Sequence, residues 1–488
     1  MAGKNRTGPR RAGAKRAPGV ADPGRAAPRR SRRERASLGK QARQSVPLAA
    51  HADPGPSDGR DPIGLVLDQA DSRVPDLVPI RHGRMLVSPF TFFRGAAAPM
   101  AADLAGTPTA GLRVQLCGDA HLSNFGIFAS PERSLVFDVN DFDETLPGPF
   151  EWDVKRLAAS LAVAGRENGF SVKARRKIVL SAVASYREAM RDFAAQPLMK
   201  VWYAHLSGDD IVTEMRSRMP DKRVRMVESM LAKARTRDSM QAVGKLTSVD
   251  DGHRSIRSDP PSVVPIEEVF PDHRADQIYE LLGGVLSRYR RSMQSSRRRL
   301  LEQFRLEQVA RKVVGVGSVG TRAWIILLDA GDGDEPLFLQ AKEAQVSVLA
   351  PYCGRSRYAN EGERVVAGQH LIQAESDIFL GWTHATGPDG VDRDFYVRQL
   401  RDWKFSLPVE QMRPLGMRYY AAICGWTLAR GHARSGDRIA IAAYLGKSDR
   451  FDQAVADFAE AYADRTERDY TKFQQAVSSG RAQARTGV

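Results

Sequence analysis

The stretch LCGDAHLSNFGIFASPERSLVFDVNDFDE, residues 116–144, decides how this chain is interpreted. It sets Asp119 and Asn124 five positions apart and then closes an apolar run with a burst of acids. Four acids fall within seven positions: Asp138, Asp141, Asp143 and Glu144. Two carboxylates held ~4 Å apart near a protein surface repel by roughly 4 kcal/mol. The stretch therefore predicts a positive partner close to these acids.

The local patterns predict strands on both sides of this loop. LRVQL alternates apolar and polar residues, and SLVFDVND reads as a second strand, so the stretch is predicted to be strand, loop, strand. EWDVKRLAASLAVAGRENG follows with helical spacing of its apolar residues, and Asn168-Gly169 is a typical stop. The acids thus lie between a predicted strand and a predicted helix.

The order of polar residues suits phosphoryl transfer. In that chemistry an Asp accepts the proton of the attacking hydroxyl, an Asn a few residues later holds magnesium, and a further Asp binds the metal that bridges the phosphates. Asp119, Asn124 and Asp141 supply this set in order, and Asp138 or Asp143 could replace Asp141. The structural alternative is that Asp119 and Asn124 only stabilise turns. The ordered set favours the functional interpretation.

A second motif, GVGSVG at 315–320, has the G-x-G-x-x-G spacing of a nucleotide-binding loop. A dinucleotide site needs a helix to begin at the glycines. Here TRAWIILLDAG follows, which is β-branched and apolar and predicts a strand. The motif therefore favours a glycine-rich hairpin of the kind that covers ATP phosphates. Its predicted nucleotide-binding residues are Gly315, Gly317, Ser318 and Gly320.

Lys342 lies in LFLQAKEA, on the next predicted strand, where a lysine is expected to reach the α- and β-phosphates. The alternative is a lysine at a strand end that points outward. Glu361 and Glu363, on a predicted helix at about 358–376, are both available to orient it, and the spacing does not choose between them. The preceding basic stretch from about 274 to 310 is predicted to be helical.

Several cationic or titratable side chains are weaker candidates. His121 lies in the loop without a second His or Cys at metal spacing, so a hydrogen-bonded loop histidine is favoured over a ligand. Arg94 and the pair Arg81 and Arg84 are candidates for substrate phosphates, against the simpler interpretation of surface arginines.

With these residues in hand, the sequence resembles the protein-kinase-like superfamily, especially its aminoglycoside and choline phosphotransferase branch. CGDAHLSN matches the catalytic loop, FDVNDFDE the metal strand, and EWDVKRLA the following helix. The resemblance implies a catalytic base at Asp119, metal ligands at Asn124 and Asp141, and a buried structural role for Asp153. Cys117 stands where that family usually has a histidine.

The phrases FRGAAAPMAADLA, CGDAHLSNFG, NDFDET, VGVGSVGTR and LARGHARSGD resemble a bacterial family known as domain of unknown function 2252, over most of residues 60–470. That label implies no substrate. Gly315 follows Asp119 by 196 residues (315 minus 119), whereas kinases have the glycine loop first. We therefore expect an α+β, two-lobed, kinase-like fold that is circularly permuted and carries helical additions. The expected parts are a catalytic-loop and helical part at 61–308, a glycine-rich β part at 309–408, and closing helices at 409–478.

Composition narrows the remaining classes. The formal charge is +15, but residues 1–44 carry fourteen Lys or Arg and two acids, or +12, which leaves +3 for the other 444 residues. Residues 1–60 are predicted to be a disordered basic tail, a solvated segment more readily than a tether for weak, nonspecific contact with nucleic acid or an anionic surface. No run of about 18 apolar residues predicts a membrane span. Three scattered cysteines favour a reducing cytoplasm, without disulfides or a zinc site.

The predicted function is phosphotransfer from ATP, with Mg2+, to a hydroxyl of a small acceptor molecule whose identity the sequence does not give. Two alternatives stay open: a degenerate regulator that binds nucleotide without turnover, and a nucleotidyl transferase that leaves AMP on its target. A nicotinamide-dependent oxidoreductase is excluded if residues 321–328 form a strand. The alternative that the protein only binds nucleic acid is supported by the basic tail and by no other feature of the sequence.

Overall fold

The computed structural model describes residues 30–236, 239–250, 253–313, 315–331, 335–387, 389–400, 403 and 407–487. Helices make up 55% and strands 15%, so the expected α+β class is confirmed. In the described ranges, no helix combines the length and apolar character needed to cross a membrane.

From residue 30 onward, the described chain begins with five α-helices: α1 (Arg32–Ser45), α2 (Pro62–Asp68), α3 (Val78–Met85), α4 (Pro89–Gly95) and α5 (Ala97–Ala105). The prediction of a disordered tail to residue 60 is wrong for α1 and for the 3-10 helix at Leu48–Ala52. Ser31 and Glu34 form a capping box at the start of α1, and Arg35 pairs with Asp437 at 2.8 Å. Composition alone missed these local and distant partners. The most basic part of the predicted tail, residues 1–29, lies outside the described residues.

Four short strands and a long helix surround the acidic stretch: β1 (Arg113–Leu116), β2 (Phe125–Ala129), β3 (Leu135–Val139), β4 (Leu146–Pro149) and α6 (Phe150–Glu167). The two predicted strands and the helix are present. The predicted loop is shorter than expected, because FGIFA forms β2 and pairs with β3. β1 pairs with β4, so the region consists of two antiparallel ribbons.

A helical region follows and leads into the main sheet. Its elements are α7 (Val172–Ala195), α8 (Leu198–Tyr203), α9 (Gly208–Arg218), α10 (Asp221–Arg235), α11 (Ser239–Leu246), β5 (Thr247–Asp250), β6 (His253–Ile256), β7 (Val263–Pro265), α12 (Ile266–Val269), α13 (Ala275–Ser292) and α14 (Ser295–Leu301).

The main sheet has six antiparallel strands in the order β11-β12-β10-β9-β8-β7. Its new elements are β8 (Arg305–Lys312), β9 (Ala323–Asp329), β10 (Pro336–Ala344), α15 (Ala350–Cys353), α16 (Glu361–Ile372), β11 (Gly381–Thr386) and β12 (Asp392–Gln399). The prediction that the basic helix runs to 310 is wrong. RLEQVARK forms β8, because pairing with β7 and β9 overrides the helical preference of its Arg, Leu, Glu and Gln.

Three helices close the chain: α17 (Pro414–Ser435), α18 (Arg438–Leu445) and α19 (Arg450–Ser478). α17 packs along α7, α19 packs on α6 and α7, and α1 packs on α18. The largest apolar core lies among α6, α7, α17, α19 and the two ribbons. The two ribbons and these helices therefore share one core.

Candidate active site

Strand register brings the loop after β1 and the acidic turn after β3 to one place. Phe125 lies opposite Val139, and the Asn140 N–H donates to the Asn124 carbonyl at 2.8 Å. In the other ribbon Leu116 lies opposite Leu146. Both loops therefore leave their strands at neighbouring positions, which explains how distant parts of the motif converge.

Asp153 of α6 holds the catalytic-type loop by its backbone. Its carboxylate accepts hydrogen bonds from the N–H groups of Cys117 at 2.8 Å and Gly118 at 3.1 Å. The side chain is 1% exposed, as the resemblance implied for a structural residue. Gly118 has φ +89°, and an added Cβ would lie 2.2 Å from the Glu144 carbonyl oxygen. Only glycine permits this close approach of loop and acidic turn.

Asp119 faces the cleft but is not isolated. Its Oδ1 accepts a hydrogen bond from Arg156 Nε at 2.8 Å, and His121 Nε2 lies 3.7 Å from Oδ2. Burial raises the pKa of Asp119, while the Arg156 guanidinium opposes that rise. Arg156 is held in turn by the Phe93 carbonyl at 2.8 Å. The loop therefore presents a fixed carboxylate with one side occupied by arginine.

Asn124 is oriented by the same loop. Its Nδ2 donates to the Asp119 carbonyl at 2.8 Å, which leaves the amide oxygen as the atom suited to a cation. His121 is buried, its Nδ1 has no partner among the described residues, and burial lowers its pKa well below the usual range. His121 is therefore a neutral loop histidine at physiological pH.

Asp138 and Asp141 differ in their surroundings although they are three positions apart. Both Asp138 oxygens lie 2.6 Å from Arg430 Nη2, and both side chains are 1% exposed. Asp138 also accepts the Ala374 N–H at 2.9 Å. This carboxylate is committed to a buried pair outside the cleft lining, so it does not serve as the alternative to Asp141.

Lys342 joins the two halves of the predicted site. Its Nζ lies 3.1 Å from Asp143 Oδ2 and 3.7 Å from Asp141 Oδ2. Tyr396 also donates to Asp143, at 2.5 Å. Burial and the Asp143 charge raise the pKa of Asp141; against burial, Lys342 and Tyr396 hold the pKa of Asp143 below its usual range. The positive partner predicted from the acidic stretch is thus Lys342, with 5% of its surface exposed.

The helix after the lysine strand supplies an arginine to this site. Glu361 pairs with Arg364 of the same helix. Arg364 donates to the carbonyls of Asp143 at 2.9 Å and Thr145 at 2.8 Å. α16 therefore holds the backbone of the acidic turn, while Asp141 and Asp143 contact Lys342.

The glycine loop joins β8 to β9, as a hairpin requires. Gly315 and Gly320 have φ +67° and +91°, and Ser318 Oγ donates to Asp143 Oδ2 at 3.3 Å. The loop is anchored from outside: Arg84 donates to the Gly315 carbonyl at 2.6 Å, and the Gly320 carbonyl accepts the Val74 N–H at 2.8 Å. β9 spans Ala323–Asp329, which excludes the dinucleotide interpretation as stated above.

One cleft of about 880 Å³ gathers most of the predicted residues. The cleft lining includes the acidic wall, which we define as Asp119, Asp141, Asp143 and Glu144, and the arginine wall, which we define as Arg73, Arg81 and Arg94. Asn124, Gly315, Gly317 and Ser318 also line it. Gly320 does not line this cleft. A Cβ added at Gly320 would lie 3.1 Å from Arg73 Cβ.

A smaller space of about 390 Å³ continues past Lys342. It is lined by Lys312, Gln340, Lys342 and Leu400, and it shares Asp141, Gly315 and Ser318 with the larger cleft. A separate cavity of about 880 Å³ lies between α13 and the sheet and contains none of the predicted site residues. The predicted residues thus mark a cleft with two compartments.

The site offers few protein ligands for a magnesium ion. In the described ranges, no group of three or more His, Cys, Asp or Glu is arranged to hold a metal ion. The predicted ligands are one amide oxygen, Asn124, and one carboxylate, Asp141. Magnesium usually takes one or two carboxylates and completes its shell with phosphates and water. Asp141 fits that role, because its Oδ2 lies 3.7 Å from Lys342 Nζ and no shorter ion pair of Asp141 occurs among the described residues.

Sequence reasoning missed the cations that organise the acids. Arg364 and Arg430 lie on helices far along the chain from the acidic stretch, and nothing in the sequence predicts their contacts with it. Arg156 carries a signal, because it lies on α6 shortly after the stretch and follows Asp153 by three positions.

A profile of the family described as "Uncharacterized protein conserved in bacteria (DUF2252)" matches residues 73–476. The match includes both the acidic stretch and the glycine loop. No curated protein and no solved structure matches the chain.

Proposed function

The chain belongs to the DUF2252 family, and we propose that it is an ATP- and Mg2+-dependent phosphotransferase that acts on a hydroxyl of a small molecule. One observation carries the proposal. Lys342 Nζ lies within 3.7 Å of Asp141 and Asp143, and Ser318 of the glycine loop donates to the same Asp143. A nucleotide site of this type requires lysine, metal carboxylate and glycine loop around one triphosphate.

The order of elements supports the proposal. The glycine loop joins β8 and β9, Lys342 lies on β10, and α16 comes before β11 and β12. In protein kinases the glycine loop likewise comes before a lysine strand and a helix. The catalytic-type loop lies earlier in this chain instead of later, which is the arrangement expected of a circular permutation.

The two compartments suggest how the substrates divide. The smaller one, beside Lys342 and Leu400, suits the nucleoside, with the phosphates directed toward Ser318 and Asp141. The larger one contains Asp119 and suits the acceptor. Magnesium, held by Asn124 and Asp141, would neutralise phosphate charge. Asp119 would orient the acceptor hydroxyl, and the fixed geometry of the site would supply much of the rate enhancement.

One contact favours a second candidate, a regulator that binds nucleotide without turnover. Arg156 occupies Asp119 at 2.8 Å and disfavours protonation of the carboxylate. Burial acts in the opposite direction and leaves the pKa of Asp119 raised, so this contact restricts access to Oδ1 more than it lowers the basicity of the carboxylate. Because phosphoryl transfer depends mostly on positioning and charge stabilisation, an Asp that only orients the hydroxyl is still compatible with an enzyme.

The test is thermal unfolding of the full chain, titrated with ATP and MgCl2, for wild type, Lys342→Ala and Asp141→Ala. A ligand at 100 times its dissociation constant stabilises the fold by about 2.7 kcal/mol. We expect a magnesium-dependent shift in wild type and a reduced shift in both variants, each measured from its own ligand-free midpoint. Lys222→Ala, at an exposed lysine, is the matched control and should respond as wild type does. Absence of a shift in wild type would contradict nucleotide binding.

A further inference from the structure

We infer that the acceptor carries an anionic group, a carboxylate or a phosphate, and that Arg94 binds it. The inference rests on the proposed function and adds the chemical class of the second substrate. It depends on the arginine wall, which the phosphotransferase assignment does not use.

Arg94 is a cation without a hydrogen-bonded partner. It lies on α4 and lines the large compartment. Its Nε is buried, and no hydrogen bond or ion pair of its guanidinium occurs among the described residues. The acids that influence it electrostatically are Asp119 and Glu410. A buried guanidinium N–H without an acceptor is costly, so its retention at a cleft points to an acceptor atom supplied by a ligand.

The Asp119 carboxylate has a hydrogen-bond donor other than Arg94. Arg156 already donates to Asp119 at 2.8 Å and to the Phe93 carbonyl at 2.8 Å. The buried arginines outside the cleft lining are likewise engaged: Arg430 contacts Asp138, and Arg364 contacts three backbone carbonyls. Arg94 therefore acts on Asp119 through its charge alone, and no acid among the described residues accepts a hydrogen bond from its guanidinium.

Its neighbours in the cleft strengthen the case for an anion. Arg73 and Arg81 also line the compartment, and each has a buried Nε without a partner among the described residues. Arg73 Nη1 donates to the Val319 carbonyl, and both Nη atoms of Arg81 are bound, to the carbonyls of Val66 and Gly95. These two arginines are fixed and add positive potential, while Arg94 retains free donors for bidentate binding of a carboxylate or phosphate.

Arg94 lines a different compartment from Lys342, although its carbonyl lies 3.5 Å from the position of a Cβ added at Gly317. The nucleotide contacts are assigned to Lys342 and Ser318, where the two compartments meet. Arg94 lies on the side that contains Asp119 and His121, and it does not line the smaller compartment. The expected acceptor therefore presents a hydroxyl to Asp119 and an acidic group to Arg94, as a hydroxy acid or a phosphorylated alcohol does.

The experiment measures binding of two probe anions, inorganic phosphate and malonate, by calorimetry at matched ionic strength. The full chain is saturated with Mg2+ and a non-hydrolysable ATP analogue, so that the triphosphate position is filled. The variants are Arg94→Gln and Arg94→Lys. Arg274→Gln is the control at an exposed arginine, whose side chain is 76% exposed. Phosphate and malonate distinguish the two sources of the anionic group.

We expect at least one probe to bind wild type and the Arg274 variant equally, and to bind Arg94→Gln at least about 10-fold more weakly. Arg94→Lys should fall between them, because it keeps the charge and loses the planar fork. Equal affinity in Arg94→Gln, no binding to wild type, or binding that the nucleotide analogue abolishes would each overturn the inference. Affinity for the analogue should be unchanged in Arg94→Gln. Failure of wild type to bind the analogue would instead overturn the proposed function.

Discussion

The acidic wall and the arginine wall line one cleft, yet the protein satisfies them differently. On the acidic wall each carboxylate accepts a hydrogen bond from a protein donor: Asp119 from Arg156, Asp141 from the Asp143 N–H, Asp143 from Lys342 and Tyr396, and Glu144 from the Val348 N–H. On the arginine wall each residue keeps a buried Nε without a partner among the described residues.

This difference separates what is built for stability from what is reserved for ligands. An unsatisfied buried donor costs about 1–3 kcal/mol, so the three partnerless Nε atoms that line this one cleft are suited to an acceptor atom supplied by a ligand. The acidic wall holds its own charges in place, and the arginine wall is ready for an incoming anion. Substitutions in and around the acidic wall test these roles, from the largest expected effect to the smallest.

Asp119→Asn should remove the carboxylate of the acidic wall that orients the acceptor hydroxyl. We expect phosphoryl transfer to fall by about 10²–10⁴-fold, the usual contribution of a positioned acid or base, while nucleotide affinity changes little. Single-turnover transfer from ATP labelled in the γ-phosphate measures the first quantity, and a thermal shift measures the second. Equal turnover in the variant and wild type would contradict a catalytic role, and magnesium-dependent nucleotide binding without turnover in either protein would identify the regulator.

Arg430→Ala should cost far more stability than Asp141→Asn. Removal of Arg430 leaves Asp138 as a buried charge without its cation, which typically costs about 3–5 kcal/mol. Asp141 faces the cleft, and its substitution should change stability by less than about 1 kcal/mol while it weakens the magnesium-dependent response to ATP. Urea denaturation gives both free energies of unfolding. Similar losses in the two variants would mean that Asp141 is also a structural residue.

Glu144 should give the acidic wall a pH dependence. Burial raises the pKa of Glu144 to about 7 from 4.5, so the folded protein holds this proton more tightly than the unfolded chain. Its contribution to stability is therefore present below about pH 4.5 and is lost as the pH rises toward 7. Relative to wild type, Glu144→Gln should gain stability across that window and show no further change above it. Melting temperatures at pH 5 and pH 8 measure the difference, and an equal offset at both values would contradict the shifted pKa.

Gly317→Ala should have the smallest effect on the fold. An added Cβ would lie 3.5 Å from the Arg94 carbonyl, an ordinary contact, so we expect less than about 0.5 kcal/mol of destabilisation. The methyl group should nevertheless reduce ATP affinity, because it occupies the cleft. Gly320→Ala is the comparison: with φ +91° and Arg73 Cβ at 3.1 Å, it should destabilise the fold by about 1–3 kcal/mol. An unchanged ATP affinity in Gly317→Ala would argue against phosphate contacts at that residue.

The sequence predicted the parts of the site that are local. The Asp119 loop, the strand that ends before Asn140, α6 and the glycine hairpin each carry a short pattern of apolar spacing or turn residues. Lys342 was predicted because it follows the glycine hairpin on a buried strand. The convergence of Lys342 on Asp141 was a hypothesis from motif order, and the distance of 3.7 Å agrees with it.

What the sequence could not provide were pairings between distant residues. Whether Asp138 or Asp141 faces the cleft depends on Arg430, which lies 292 residues later. The ordered structure of α1 likewise involves a distant contact, because Arg35 of this helix bonds Asp437, 402 residues away. In both cases the sequence around a charged residue indicated a surface or disordered position, because the partner of that residue lies on another element.

The contact between α7 and α17 also sets the timing of assembly on the ribosome. α7 ends at Ala195 and α17 ends at Ser435, so 240 residues (435 minus 195) must be translated between them. At about 5–20 residues per second, that interval is about 12–48 s. During that time the side of α7 that α17 later covers is exposed to water and to chaperones. A chain truncated before Pro414 would keep this side of α7 exposed after its release.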